Sequence, residues 1–374
     1  MTTTTTHPAL SPVQLGNHRL RNRLVVAPMT RVSATPDGVP TTQMADYYAA
    51  FAEGGFGLLI TEGTHPDAEY SQGYPNQPGL VTDAHVAGWR AVTQRVHAAG
   101  AVIIAQLMHA GALSQGNPHR NGNVAPSAVP PRGEMMPEYG GSGPWPEPRE
   151  LTVGEIERIV EGFVAAALRA REAGFGGVEL HAANGYLLDQ FLTDYTNRRT
   201  DAHGGPVANR IRLTAEITAA VRAAVGDGFL VGVRLSQTKV NDFEYRWPGG
   251  RHDAEIIYAA LADARADYLH IASEGRAFLE TALLDGGSTT TALARRKTGL
   301  PVLANGGMHD PGQAELVLAD GHADLLAVAR GALANPDLPR RIAAGEPLEP
   351  FDRSMLSPTV TLANVERWRL DRTE

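Results

Sequence analysis

Apolar positions along this chain gather into eight short continuous runs: 23–29 (RLVVAPM), 56–61 (FGLLIT), 101–107 (AVIIAQL), 176–180 (GGVEL), 229–235 (FLVGVRL), 267–272 (DYLHIA), 301–304 (PVLA) and 323–329 (ADLLAVA). None alternates apolar with polar as a half-solvated strand would, so each reads as a parallel strand covered on both faces. Helical periodicity fills the intervals, over 41–53, 83–99, 152–173, 207–225, 253–264, 288–298, 311–319 and 336–343. Thr152 and Glu155 have capping-box spacing, and Gly100 and Gly174 stand just past helix ends. Eight strand–helix units in strict alternation predict an α/β fold, a single (β/α)8 TIM barrel. The competing open, doubly wound sheet calls for a glycine fingerprint after its first strand, and residues 29–31 (MTR) contain no glycine.

Three segments stand outside this alternation. Residues 109–150 are rich in Pro and Gly and lack periodicity, which predicts a long excursion after strand 3 that caps the C-terminal mouth and carries a short hairpin; a disordered linker is the alternative. Residues 1–20 form an N-terminal extension whose threonine run, Thr2 to Thr6, is expected to fray, and the barrel is expected to span 21–350. The tail, 351–374, is expected to be a surface helix around 364–370, with packing against a neighbouring subunit of a homo-oligomer as the alternative; 238–251 match no pattern.

Composition narrows the chemistry. With 374 residues, 43% of them hydrophobic, the chain can bury a large core. A net charge of −8 without blocks of like charge gives no support to a nucleic-acid or anionic-membrane partner, so a small molecule is expected. There is no run of 18 apolar residues and no basic, apolar leader near Met1, from which a soluble cytoplasmic protein is expected. Cysteine is absent, which removes disulfides, thiolate metal sites, iron–sulfur clusters and a cysteine nucleophile, so redox chemistry would need a borrowed cofactor. The two lysines, Lys239 and Lys297, lie outside the apolar cores of the strands; a Schiff-base mechanism is disfavoured, with Lys239 the one reservation.

In β/α barrels the reacting groups come from the C-terminal strand ends. Here those ends read Pro28-Met29-Thr30, Glu62-Gly63, Gln106, His181 to Asn184, Arg234, Ser273-Glu274, Asn305-Gly306-Gly307 and Arg330-Gly331. Gly306, Gly307 and Arg330, with the helix starting near Pro311, suit a phosphate between strands 7 and 8, although paired glycines also mark simple turns. His181 and Asn184, three apart on a strand-to-helix turn, make a poor metal set and no metal is expected. They suit paired donation to a carbonyl oxygen, against the plainer reading of a histidine satisfied locally at a helix start. Tyr186 could deliver a proton nearby, or serve only in packing.

These residues are recognisable as a set. The segments 22–31 (NRLVVAPMTR), 60–64 (ITEGT), 106–107, 177–210 (GVELHAANGYLLDQFLTDYTNRRTDAHGGPVANR), 233–236 (VRLS), 305–308 and 328–338 resemble the old yellow enzyme family of FMN-dependent NAD(P)H oxidoreductases over nearly the whole chain. The resemblance implies a barrel with non-covalent FMN across its mouth and NADPH or NADH as hydride donor. It implies that Thr30 faces the flavin near O4 and N5, Gln106 the pyrimidine edge and Arg234 the N1–C2 carbonyl region. Pro28, Met29, Gly63, His181, Asn305, Gly306, Gly307, Arg330 and Gly331 would complete the cofactor-binding set, seating ring and phosphate. His181 and Asn184 would hold the carbonyl oxygen of an α,β-unsaturated substrate, and Tyr186 would protonate its α-carbon, making the catalytic set His181, Asn184, Tyr186 and Thr30. The implied activity is ene-reduction of activated alkenes, including nitroalkenes. Nitroester or nitroaromatic reduction, a dehydrogenase, or a non-catalytic flavin protein are the alternatives. Cluster-bearing dienoyl reductase relatives are set aside because cysteine is absent. Many relatives carry cysteine where Thr30 stands, and Met108 takes a position often held by tryptophan.

Overall fold

The computed structural model of the chain describes residues 7–272, 278 and 282–371. All eight apolar runs are strands: β1 (Leu24–Val26), β2 (Leu58–Ile60), β3 (Val102–Leu107), β4 (Gly177–Asn184), β5 (Leu230–Lys239), β6 (Tyr268–Ile271), β7 (Val302–Asn305) and β8 (Leu325–Val328). They pair in parallel in chain order, and β8 pairs with β1 through Leu326 and Leu24 to close the barrel. Every strand residue except Val102 is buried, as unbroken apolar runs require.

The helices that follow the strands are α1 (Thr42–Glu53), α2 (Asp83–Ala98), α3 (Val153–Glu172), α4 (Arg212–Val225), α5 (Gly250–Asp263), α6 (Thr290–Thr298), α7 (Pro311–Ala319) and α8 (Leu338–Ala344). Their apolar faces and the outward strand residues form one continuous core. The capping box forms: Glu155 N donates to Thr152 Oγ1 at 3.3 Å and Thr152 N to Glu155 Oε2 at 2.8 Å. The helix expected over 207–225 is divided into Val207–Arg210 and α4, and an unexpected helix, Leu187–Leu192, follows β4.

A second apolar cluster fills the barrel interior. Residues 7–20 are more than an appendage, because Val13–Leu15 and His18–Leu20 pair antiparallel and bring Leu15 and Leu20 against Val25, Leu58, Ile104 and Leu230. Within that cluster Tyr268 demands a glycine opposite it: a Cβ on Gly232 would lie 2.0 Å from the Tyr268 ring.

The excursion differs from the expected hairpin. Val124–Ala125 and Arg149–Glu150 pair in parallel, because the chain makes a full circuit between them, and the antiparallel contact is the single bridge Glu134–Pro144. The tail does form a helix, Leu362–Leu370, lying on the chain's own surface against α1; Leu362 N donates to Ser33 Oγ at 2.9 Å. Among the described residues no helix is long and apolar enough to cross a membrane.

Candidate active site

A cavity of about 270 Å³ opens at the C-terminal ends of the strands. Of the residues singled out in the sequence, Pro28, Met29, Thr30, Gly63, Gln106, His181, Asn184, Tyr186, Arg234, Asn305 and Arg330 line it. Gly306, Gly307 and Gly331 adjoin Asn305 and Arg330 without lining it. Gly306 (φ +121°) and Gly307 (φ +68°) hold backbone conformations that favour glycine. At Gly331 the want of a side chain has a packing cause, since a Cβ there would meet His309 Cβ at 2.2 Å. Ser273 and Glu274, the expected sixth strand end, lie outside the described residues.

His181 is 3% exposed and its ring stands edge-on to Tyr186, with centroids 4.9 Å apart. Burial, then the nearby charges of Arg234 and His270, push its pKa well below the usual value, so the imidazole is neutral. The Ala183 N–H donates to His181 Nδ1 at 3.3 Å. A neutral ring that accepts at Nδ1 carries its proton on Nε2, so His181 is a donor at Nε2. Asn184 follows in the left-handed region (φ +66°), which asparagine tolerates, and Gly185 continues it (φ +87°). This double turn is pinned from three sides: Asn184 N donates to Ser236 Oγ (2.8 Å), Val240 N to Asn184 O (3.1 Å) and Gly185 N to Asp189 Oδ2 (2.7 Å). The Tyr186 hydroxyl, delivered by the same turn, shares a short hydrogen bond with the hydroxyl of the buried Tyr74.

On the other wall, Thr30 ends β1's run and precedes a clamp. Glu62 Oε2 accepts from Arg31 N (2.8 Å) and Val32 N (2.9 Å), holding the β-branched Val32 at φ +40°. Burial pushes the Glu62 carboxyl up to about 7 despite those two amides. Toward the barrel axis, Gln106 and Arg234 are both buried, and Arg234 Nε has no hydrogen-bond partner among the described residues. Asn305 Nδ2 donates to Ala327 O at 2.8 Å, tying the ends of β7 and β8 together.

The arrangement fits FMN. The buried Arg234 Nε, without an acceptor among the described residues, suits a group that gathers negative charge on reduction, and the glycine turn with Arg330 suits a phosphate. Arg234 would hold the N1–C2 side, Gln106 the pyrimidine edge, and the Asn305–Gly307 turn with Arg330 the phosphate.

Sequence reasoning missed five lining residues: Arg31, Tyr139, Val240, Ala329 and Leu356. Arg31 and Ala329 adjoin residues that it did find, but the other three come from the excursion, the unpatterned 238–251 and the tail. The reservation over Lys239 is resolved: its ammonium is buried in an ion pair with Asp189 Oδ1 at 2.6 Å and lies 4.5 Å from the Tyr245 ring, outside the cavity lining.

The sequence model of the NADH:flavin oxidoreductase / NADH oxidase family matches residues 9–349. Flavin oxidoreductase hxnT of Emericella nidulans is 37% identical over 371 residues, covering 93% of each chain. Morphinone reductase, solved in complex with tetrahydroNAD, superposes with a TM-score of 0.83 at 36% identity over 93% of each chain. The old yellow enzyme homologue from Zymomonas mobilis gives 0.83 at 34% identity, covering 94% of this chain and 96% of that one.

Proposed function

The chain belongs to the NADH:flavin oxidoreductase / NADH oxidase family, in its old yellow enzyme group, and from that premise we propose that it reduces the C=C bond of α,β-unsaturated carbonyl compounds and nitroalkenes. It is an NAD(P)H-dependent oxidoreductase, and its cofactor is FMN.

The observation that carries the reading is that His181 and Asn184 line one cavity, with the Ala183 N–H donating to His181 Nδ1. A neutral ring with its proton on Nε2, beside the Asn184 amide, offers two donors to one oxygen without placing a full positive charge there. Donation to a substrate carbonyl draws electron density from the conjugated alkene and leaves its β-carbon electrophilic. Bound FMN would supply the hydride-transfer chemistry between NAD(P)H and that carbon. Tyr186, on the same turn, adds its proton to the α-carbon, so hydride and proton together saturate the bond. The Tyr74 hydroxyl then donates to the phenolate oxygen that Tyr186 retains until it is reprotonated.

The test is anaerobic: NADPH should bleach the yellow holoenzyme and 2-cyclohexen-1-one should restore its colour. Bleaching with no recolouring by a panel of enones and nitroalkenes would overturn the substrate assignment and leave the flavin assignment standing.

A further inference from the structure

Beneath the cavity, Glu179 lies wholly buried on β4, two residues before His181. Three donors converge on its carboxylate: Gln106 Nε2 at 2.8 Å on Oε1, and Tyr268 Oη at 3.1 Å with His270 Nδ1 at 3.0 Å on Oε2. Burial pushes the carboxyl up, but the charges of His270 and Arg234 and the hydrogen bonds from His270 and Gln106 outweigh it, so the group stays ionised.

An ionised carboxylate can only accept, whereas a glutamine amide has a donating and an accepting end that differ by a simple flip. Glu179 therefore leaves Gln106 one orientation. The NH2 group turns to the carboxylate, and Oε1, with the second amide hydrogen beside it, is left for the cavity that Gln106 lines.

We infer that Glu179 is a positioning residue for cofactor recognition: by fixing the flip of Gln106 it presents the FMN pyrimidine edge with an acceptor for N3–H next to a donor for the adjoining carbonyl. The inference rests on the assignment of Gln106 to that edge in the FMN reading above. Tyr268 and His270 make it testable, because both donate to the same oxygen. In Glu179→Gln the new amide keeps its oxygen toward them and turns its NH2 to Gln106 unless the His270 tautomer and the Tyr268 hydroxyl both reverse. Gln106 then has to rotate its oxygen inward and present two hydrogens to N3–H, donor against donor.

The experiment titrates full-length apoprotein with FMN, following the loss of flavin fluorescence, with thermal melting of each apoprotein alongside. Glu179→Gln should bind FMN about 10- to 100-fold more weakly than wild type, the cost of one buried unsatisfied donor. The swap Glu179→Gln/Gln106→Glu restores an acceptor to N3–H but gives up the donor to the adjoining carbonyl, so it should regain part of that loss, which a merely structural role for Glu179 would not produce. Wild-type affinity in the single variant, or a swap no tighter than the single variant, overturns the inference. Should the single variant fail to fold as apoprotein, a folded swap that binds FMN supports the inference and an unfolded one overturns it. Failure of wild-type apoprotein to bind FMN at all would overturn the cofactor reading and this inference with it.

Discussion

His181 and Asn184 reach one cavity from adjoining turns of backbone, so their removal has a defined signature. His181→Ala/Asn184→Ala should weaken binding of a phenol on the order of a hundredfold, through two lost hydrogen bonds, while FMN remains bound. Unchanged phenol affinity by difference spectroscopy would refute their role. Tyr186→Phe should slow alkene reduction by at least about a hundredfold and leave flavin reduction by NADPH nearly unaffected; stopped-flow measurement of the two half-reactions separates the cases, and equal slowing of both counts against a proton donor. A third residue acts through pH. Burial raises the folded-state pKa of Glu62 to about 7, above its ordinary 4.5, so between those values the folded protein keeps a proton that the unfolded chain releases. The stability linked to Glu62 is thus fully present below about pH 4.5 and lost as pH rises through 7, by roughly 3 kcal/mol. Glu62→Gln keeps an oxygen for the Arg31 and Val32 amides and cannot titrate, so urea unfolding of wild type relative to this variant should weaken between pH 5 and 8; parallel profiles would exclude the effect. Thr30, Gln106, His181 and Arg234 were legible in the sequence because each interrupts or ends an apolar run at the reactive end of a strand. Glu62 was legible as a strand end but its clamp was not, nor were Glu179 and Tyr74, since their meaning depends on partners 30, 73 and 112 residues away.

At the scale of elements, the same physics made the eight strands readable: a strand buried on both faces has no polar period, and turns and caps punctuate it. Where the strands end was harder to read. The apolar signal in β4 stops at Leu180 and in β5 at Leu235, yet the pairing runs on to Asn184 opposite Lys239, with an irregularity between Ala182 and Asn184. The extensions are largely polar and buried, and they are tied locally: Ser236 Oγ accepts from Asn184 N and donates to Thr238 O, and Lys239 pairs with Asp189 of the following helix. Lys239 and Asp189 are the clearest case: the carboxylate that pairs with the ammonium also accepts the Gly185 N–H that sets the catalytic turn. Lys239→Met removes the charge and leaves Asp189 buried and unpaired. It should cost about 3–5 kcal/mol in unfolding free energy. Lys239→Met/Asp189→Asn should recover part of that loss, and a single variant as stable as wild type by urea unfolding would show that the pair carries no weight.

The whole molecule assembles its mouth from segments that no local pattern predicts. Tyr139 comes from the excursion, Val240 from the stretch after β5 and Leu356 from the tail, and all three line the cavity. The tail's Leu356 and Val360 also pack into an apolar cluster with Tyr74, Met108, Tyr139 and Tyr186, and Val360 N donates to Glu138 O at 3.2 Å. None of these segments has a period, because each takes its shape from the others once the barrel is closed; an isolated tail or excursion could not bury enough apolar surface to order itself. We propose that these roof residues bear on substrate more than on FMN. Leu356→Ala tests this separation. It removes apolar contact from the cavity at a point remote from Gln106, Arg234 and the phosphate turn in sequence and in partners, so FMN affinity should be unchanged. The KM for 2-cyclohexen-1-one should rise on the order of tenfold, the cost of a partly lost leucine contact, with flavin reduction by NADPH unaffected. A fall in FMN affinity with unchanged KM would mean that the tail braces the cofactor seat and that roof and seat form one unit.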